Sequence, residues 1–166
     1  MLLCLLIASS ATWAGQPGYP LSRSSQGDDP CQRLLGLGGT ELRQILDFRL
    51  MRDFPISAQL DEGHARLSPL SISTIDCERL RVVVSGAYEF RGNIGVMDVT
   101  RMGTLVIQLR LTPQQERRQV FLEKPQVQDI TFDNPAPWFD GKAVSNWAVT
   151  LFATPTCARL QSGLPC

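Results

Sequence analysis

The sequence predicts an α+β fold, an antiparallel sheet meander preceded by one helix and followed by another. Three observations carry this expectation. Residues 40–53 space their apolar side chains at helical intervals. Residues 80–90 and 103–111 alternate apolar and polar with period two and are rich in β-branched side chains. Glycine and proline separate these segments from each other and from the ends.

In the first helix, Leu42, Ile45, Leu46 and Leu50 form the apolar stripe. Thr40 is the expected N-cap, and Glu41 places a negative charge in the first turn, where it suits the helix dipole. Pro55 ends the pattern, because proline disfavours helical geometry at Phe54. Ile56, Ala58 and Leu60 then alternate before a turn at Asp61-Glu62-Gly63. Residues 67–75 read as a weaker strand, with Pro69 marking an edge or a bulge.

The strand at 80–90 sets Leu80, Val82, Val84, Gly86, Tyr88 and Phe90 on one face and Arg81, Val83, Ser85, Ala87 and Glu89 on the other. The strand at 103–111 sets Leu105, Ile107, Leu109 and Leu111 inward. Residues 113–119 read as a polar turn, and residues 120–122 and 127–132 as strands split by Pro125. After Asn134-Pro135-Ala136-Pro137, residues 143–153 place Val144, Trp147 and Leu151 on one helical stripe. Val149, Thr150 and Phe152 would also suit a strand; helix is the expectation.

With 166 residues, a single domain is expected. Hydrophobic content of 43% against 19% charged residues reads as globular rather than disordered. The formal net charge is zero, which speaks against a nucleic-acid binder. Fourteen of the cations are Arg, leaving only Lys124 and Lys142 as Lys. An Arg-rich face suits phosphate and carboxylate, although genomic base composition explains the bias as well.

The division expected is a signal peptide over 1–14, a flexible leader over 15–38 and one α+β domain over 39–166. Residues 2–11 are apolar, too short a run to span a bilayer, and Ala14 suits a cleavage site. The expected location is therefore periplasmic or secreted, with no transmembrane span. Loss of that segment removes Cys4 and leaves Cys31, Cys77, Cys157 and Cys166, for which three pairings exist. The favoured pairs are Cys31–Cys77 and Cys157–Cys166, the latter closing a short loop that contains Gly163 and Pro165. No C-x-x-C spacing occurs, so neither metal nor cofactor is expected.

Catalytic signatures are missing from the sequence: no G-x-S-x-G, P-loop, G-x-G-x-x-G or H-E-x-x-H. The single histidine, His64, lies beside the polar turn and reads as exposed rather than as the base of a relay. Asp129, Asp133 and Asp140 gather near Trp138 and Phe139, a pattern that could serve a hydrolase but equally describes a solvated strand end. The Trp138-Phe139 pair concentrates aromatic surface in a loop and is a candidate contact site for a protein partner.

The order of elements resembles the YceB-like periplasmic lipoproteins, a family of unknown function related in fold to tubular lipid-binding (TULIP-like) domains. The residues that carry the resemblance are Glu41-Leu42-Arg43-Gln44-Ile45-Leu46, Arg81-Val82-Val83-Val84-Ser85-Gly86, Gly103-Thr104-Leu105-Val106-Ile107-Gln108-Leu109 and the segment 120–127. Members usually carry a lipobox cysteine, which this chain lacks, and are not expected to carry four cysteines in the mature domain. The resemblance implies a curved sheet around the helix with an apolar groove between them. Leu42, Ile45, Val82, Val84, Leu105, Ile107 and Leu109 would line that groove, although alternating apolar residues are ordinarily packed core. The leading expectation is a non-enzymatic cell-envelope protein holding a lipid or other hydrophobic ligand. The alternative is a protein-interaction module, an inhibitor or envelope assembly factor, that uses the Trp138-Phe139 loop.

Overall fold

The computed structural model describes residues 29–60, 63–94, 96–133 and 141–166. The predicted signal segment 1–14, most of the predicted leader, and Trp138, Phe139 and Asp140 lie outside these residues. The fold is α+β, a curled antiparallel sheet with helices, as the alternation and helical spacing predict.

Within the span expected to be a flexible leader, residues Pro30–Leu35 form a short helix, α1. Its start follows from local chemistry. The Asp29 carboxylate accepts the Cys31 N–H at 2.8 Å, proline occupies the first turn, and Gly36 closes the helix at φ 70°. The main helix α2 runs Gly39–Asp53. Its N-cap is Gly38 rather than Thr40. The other oxygen of Asp29 accepts the Gly39 N–H at 2.8 Å, so a side chain ten residues upstream does the work expected of Thr40. The helix stops before Pro55, with Phe54 extended. Leu42, Leu46 and Leu50 are buried along one stripe, and Ile45 is half-buried beside them.

The strands are β1 (Ile56–Leu60), β2 (Gly63–Leu67), β3 (Ser71–Asp76), β4 (Arg81–Ile94), β5 (Met97–Gln114), β6 (Gln119–Phe132) and β7 (Thr156–Arg159). They pair in the order β1-β2-β4-β5-β6-β7, and β3 lies along the same edge of β4 as β2. The segment expected to be one strand over 67–75 is broken at Ser68 and Pro69. Ser68 bridges the break, donating both its N–H and its hydroxyl to the Ala87 carbonyl at 2.9 Å. Leu80 is not part of β4. It holds φ 53° in the turn from β3, and the strand begins at Arg81. Pro125 does not split β6. The strand absorbs it through register shifts and Lys124 at φ 52°, where the missing N–H costs least. The turn expected over 113–119 is tighter than that, a 3-10 turn at Gln115–Arg117.

The inward faces are those the alternation predicts. Val82, Val84, Tyr88, Phe90, Leu105, Ile107, Leu109 and Leu111 are all buried. Helix α2 lies between the two outer elements β3 and β7 and is tied to both. Arg43 donates to the carbonyls of Ile72 and Ser73, Asp47 accepts the Ile72 N–H, and Arg49 Nε donates to the Cys157 carbonyl at 3.0 Å. The final helix α3, Lys142–Leu151, buries Val144, Trp147 and Ala148 and packs on β6. Cys31 pairs with Cys77 (Cα–Cα 5.1 Å) and Cys157 with Cys166 (5.5 Å). The first pair pins α1 to the end of β3, and the second closes the chain end beside α2, where Gly163 packs against Ile45 and Phe48. No helix among the described residues is long and apolar enough to cross a membrane.

Candidate functional site

The residues expected to line an apolar groove are brought together by the fold. Leu42, Val82, Val84, Leu105, Ile107 and Leu109 are each 0% exposed and belong to one core cluster, with Ile45 packed against it. β4 and β5 place Val82 opposite Leu109 and Val84 opposite Ile107, and α2 covers them. Four hollows among the described residues are lined by other side chains.

The largest of those hollows lie on the opposite, outward face of the sheet. There β1, β2, β4 and β5 run side by side beyond the end of β3. Because side chains alternate, Ala87, Glu89, Arg91 and Asn93 of β4 all point outward. Three hollows of about 600, 300 and 550 Å³ follow this row. The first and second share Pro55, Arg66 and Glu89; the second and third share His64 and Arg91. They therefore form one groove along β4, and the Ala87-to-Asn93 row alone extends about 20 Å at the rise of an extended strand. Ser57, Gln59, His64, Arg66 and Ser68 flank it on one side, and Asp98, Thr100, Met102 and Thr104 on the other.

Register sets the chemistry of the groove. His64 stands opposite Arg91, and Arg66 stands opposite Glu89. Ser57 is opposite Arg66, and Gln59 is opposite His64. Glu89 accepts from Arg91 Nε in an ion pair whose arginine stays 68% exposed. The side chains of Arg66 and His64 have no hydrogen bond or ion pair among the described residues. His64 thus lies within a strand, just past the turn where the sequence placed it. It is exposed as expected, and no hydrogen bond among the described residues joins it to Ser57 or Glu89.

The floor of the groove thins at Ala87 and Gly103, and at Gly103 this is a packing requirement of the inner face. Tyr88, opposite Gly103, sends its hydroxyl across to donate to the Thr131 carbonyl at 3.3 Å. Its ring meets Phe132 edge-on at 6.2 Å. Burial, reinforced by the charge of Asp133, pushes the Tyr88 hydroxyl up to about 12. Asp133 itself lines the first hollow. Asp129 sits in β6 and Asp133 just beyond its end, both exposed.

No family model, curated protein or solved structure matches the chain. The argument about function therefore rests on the residues themselves. Sequence reasoning named the inward residues of β4 and β5 and the apolar stripe of α2 but passed over the groove. The signal was present in the outward half of the same alternation, at Glu89 and Ala87. Pairing His64 and Arg66 with that row needed the register of β2 on β4, which no local pattern states.

Proposed function

We propose that this chain is a non-enzymatic binding module of an oxidising, extracytoplasmic compartment, and that it holds its ligand in the outward groove along β4. One observation carries the reading. The side chains expected to line an internal groove are packed into the buried core, with Ile45 half-buried against it, while the hollows on the outer face share lining residues from one to the next. The paired cysteines support the compartment, since disulfides persist where thiols are not kept reduced. Clefts that bind without chemistry combine an accommodating floor with a few fixed polar groups, as Ala87 and Gly103 do beside Arg66 and Arg91.

A two-dimensional NMR screen of the full chain with small polar fragments tests this. The expected result is that hits perturb the amides of Ala87, Arg91, Thr100 and Gly103. Perturbations confined to Leu105, Ile107 and Leu109 would move the site to the interior and overturn it.

A further inference from the structure

We infer that the middle of the groove is an oxyanion site, built to take a phosphate, sulfate or carboxylate group carried by the ligand. This deepens the groove reading and rests on it. Ser57, His64, Arg66 and Arg91 all line the central hollow of about 300 Å³. Directly opposite residues on one sheet face have Cβ atoms roughly 5 Å apart, and diagonal neighbours roughly 7–8 Å. The two guanidinium groups and the imidazole are therefore within reach of one small ion.

The donors outnumber the acceptors at this point. Among the described residues Glu89 is the one acid lining the central hollow, and it already accepts from Arg91 Nε. That contact turns Arg91 and leaves its Nη donors for a ligand, in the fork geometry that suits planar and tetrahedral oxyanions. Arg66 carries a full charge with no ion pair among the described residues. The Ser57 hydroxyl adds a donor that rotates to fit. The other acids of the groove among the described residues sit at its two ends, Asp98 in one terminal hollow and Asp133 in the other. Charge along the groove thus runs acidic, cationic, acidic, and an anion is placed at the centre. An exposed cluster of this kind is sensitive to ionic strength, so it must be assayed at constant ionic strength.

The test is titration of the full chain with inorganic phosphate, sulfate and acetate, followed by two-dimensional NMR. Saturable shifts at Ser57, His64, Arg66 and Arg91 are expected. The Arg66→Gln/Arg91→Gln double variant should bind about tenfold more weakly or worse, with an unchanged melting temperature. Co-sedimentation with phosphatidylglycerol or phosphatidylcholine vesicles separates the sources of such a group. Sedimentation with phosphatidylglycerol that the double variant loses assigns a lipid headgroup; saturation by free anions without sedimentation assigns a soluble ligand. Absence of saturable shifts with all three anions, or equal binding by the double variant, overturns the inference. If polar fragments still perturb Ala87 and Thr100 in that case, the groove reading survives; if they do not, both fall.

Discussion

Tyr88 and Gly103 face each other across β4 and β5, and the tyrosine hydroxyl reaches the Thr131 carbonyl because Gly103 has no side chain in the way. A Cβ at position 103 would meet the Thr131 carbonyl oxygen at 1.9 Å and the Tyr88 hydroxyl at 3.0 Å. The first of these is backbone of the neighbouring strand and cannot swing aside. Gly103→Ala should therefore cost about 1–3 kcal/mol or more, as overpacking does. Differential scanning calorimetry reads this as a fall of roughly 2–4 °C per kcal/mol for a chain of this size.

Tyr88 also gives the fold an alkaline limit. Its hydroxyl is held at about 12, against 10.0 for the ordinary side chain, first by burial and then by Asp133. The folded state therefore binds the proton more tightly than the unfolded one. The stability this supplies is complete below pH 10 and is lost as pH rises towards 12. Urea melts across that window should show a declining midpoint in the wild type. Tyr88→Phe should lose about 0.5–1.5 kcal/mol at neutral pH with the hydrogen bond, and should flatten the alkaline decline.

Asp29 gives the opposite sign at the acidic end. Hydrogen bonds from the Gly39 and Cys31 N–H groups hold its carboxyl below the ordinary value of 3.8. A lowered value means that its contribution is present above 3.8 and is lost as pH falls through the folded-state value. Asp29→Asn, which keeps an acceptor and drops the charge, should remove part of the acid sensitivity measured by circular dichroism between pH 4 and about 2. Asp29→Ala should fray the starts of both α1 and α2, visible as faster amide exchange at Cys31 and Gly39.

These residues show what was legible in the sequence. The buried faces of β4 and β5 and the stripe Leu42, Leu46, Leu50 follow from periodicity, because a half-buried strand or helix must repeat its apolar side chains at its own period. The helix α1 had local signals too, Asp29 before it, Pro30 at its start and Gly36 after it, but six residues are too few for an apolar period to register. Other features depend on partners distant in sequence. β7 exists because Gln119–Leu122 offers it an edge, and the break at Pro69 is tolerated because Ala87 receives Ser68. The groove belongs to this second group, since His64 meets Arg91, 27 residues further along the chain, only through the register of β2 on β4.

The two cysteine pairs should contribute unequally. Cys31–Cys77 spans 46 residues and Cys157–Cys166 spans 9. On loop-closure entropy the first is worth about 4 kcal/mol and the second about 2.5 kcal/mol. Guanidinium melts of Cys31→Ala/Cys77→Ala and Cys157→Ala/Cys166→Ala should show that order. Non-reducing peptide mapping should recover both linkages from oxidised protein, and any cross-pairing between the two sets would contradict the arrangement.

The interior itself decides between a module that binds on its outer face and one that encloses a hydrophobic ligand. Ile107 lies at the centre of the core, 0% exposed and opposite Val84. Titration of the wild-type chain with a fluorescent fatty-acid probe, with Ile107→Trp measured alongside, is the direct measurement. A filled core predicts no saturable probe binding by the wild type, and a loss of about 1–3 kcal/mol in the variant from overpacking. Saturable binding by the wild type, abolished in an Ile107→Trp protein that melts at the wild-type temperature, would mean that the core opens for a ligand and would contradict the account.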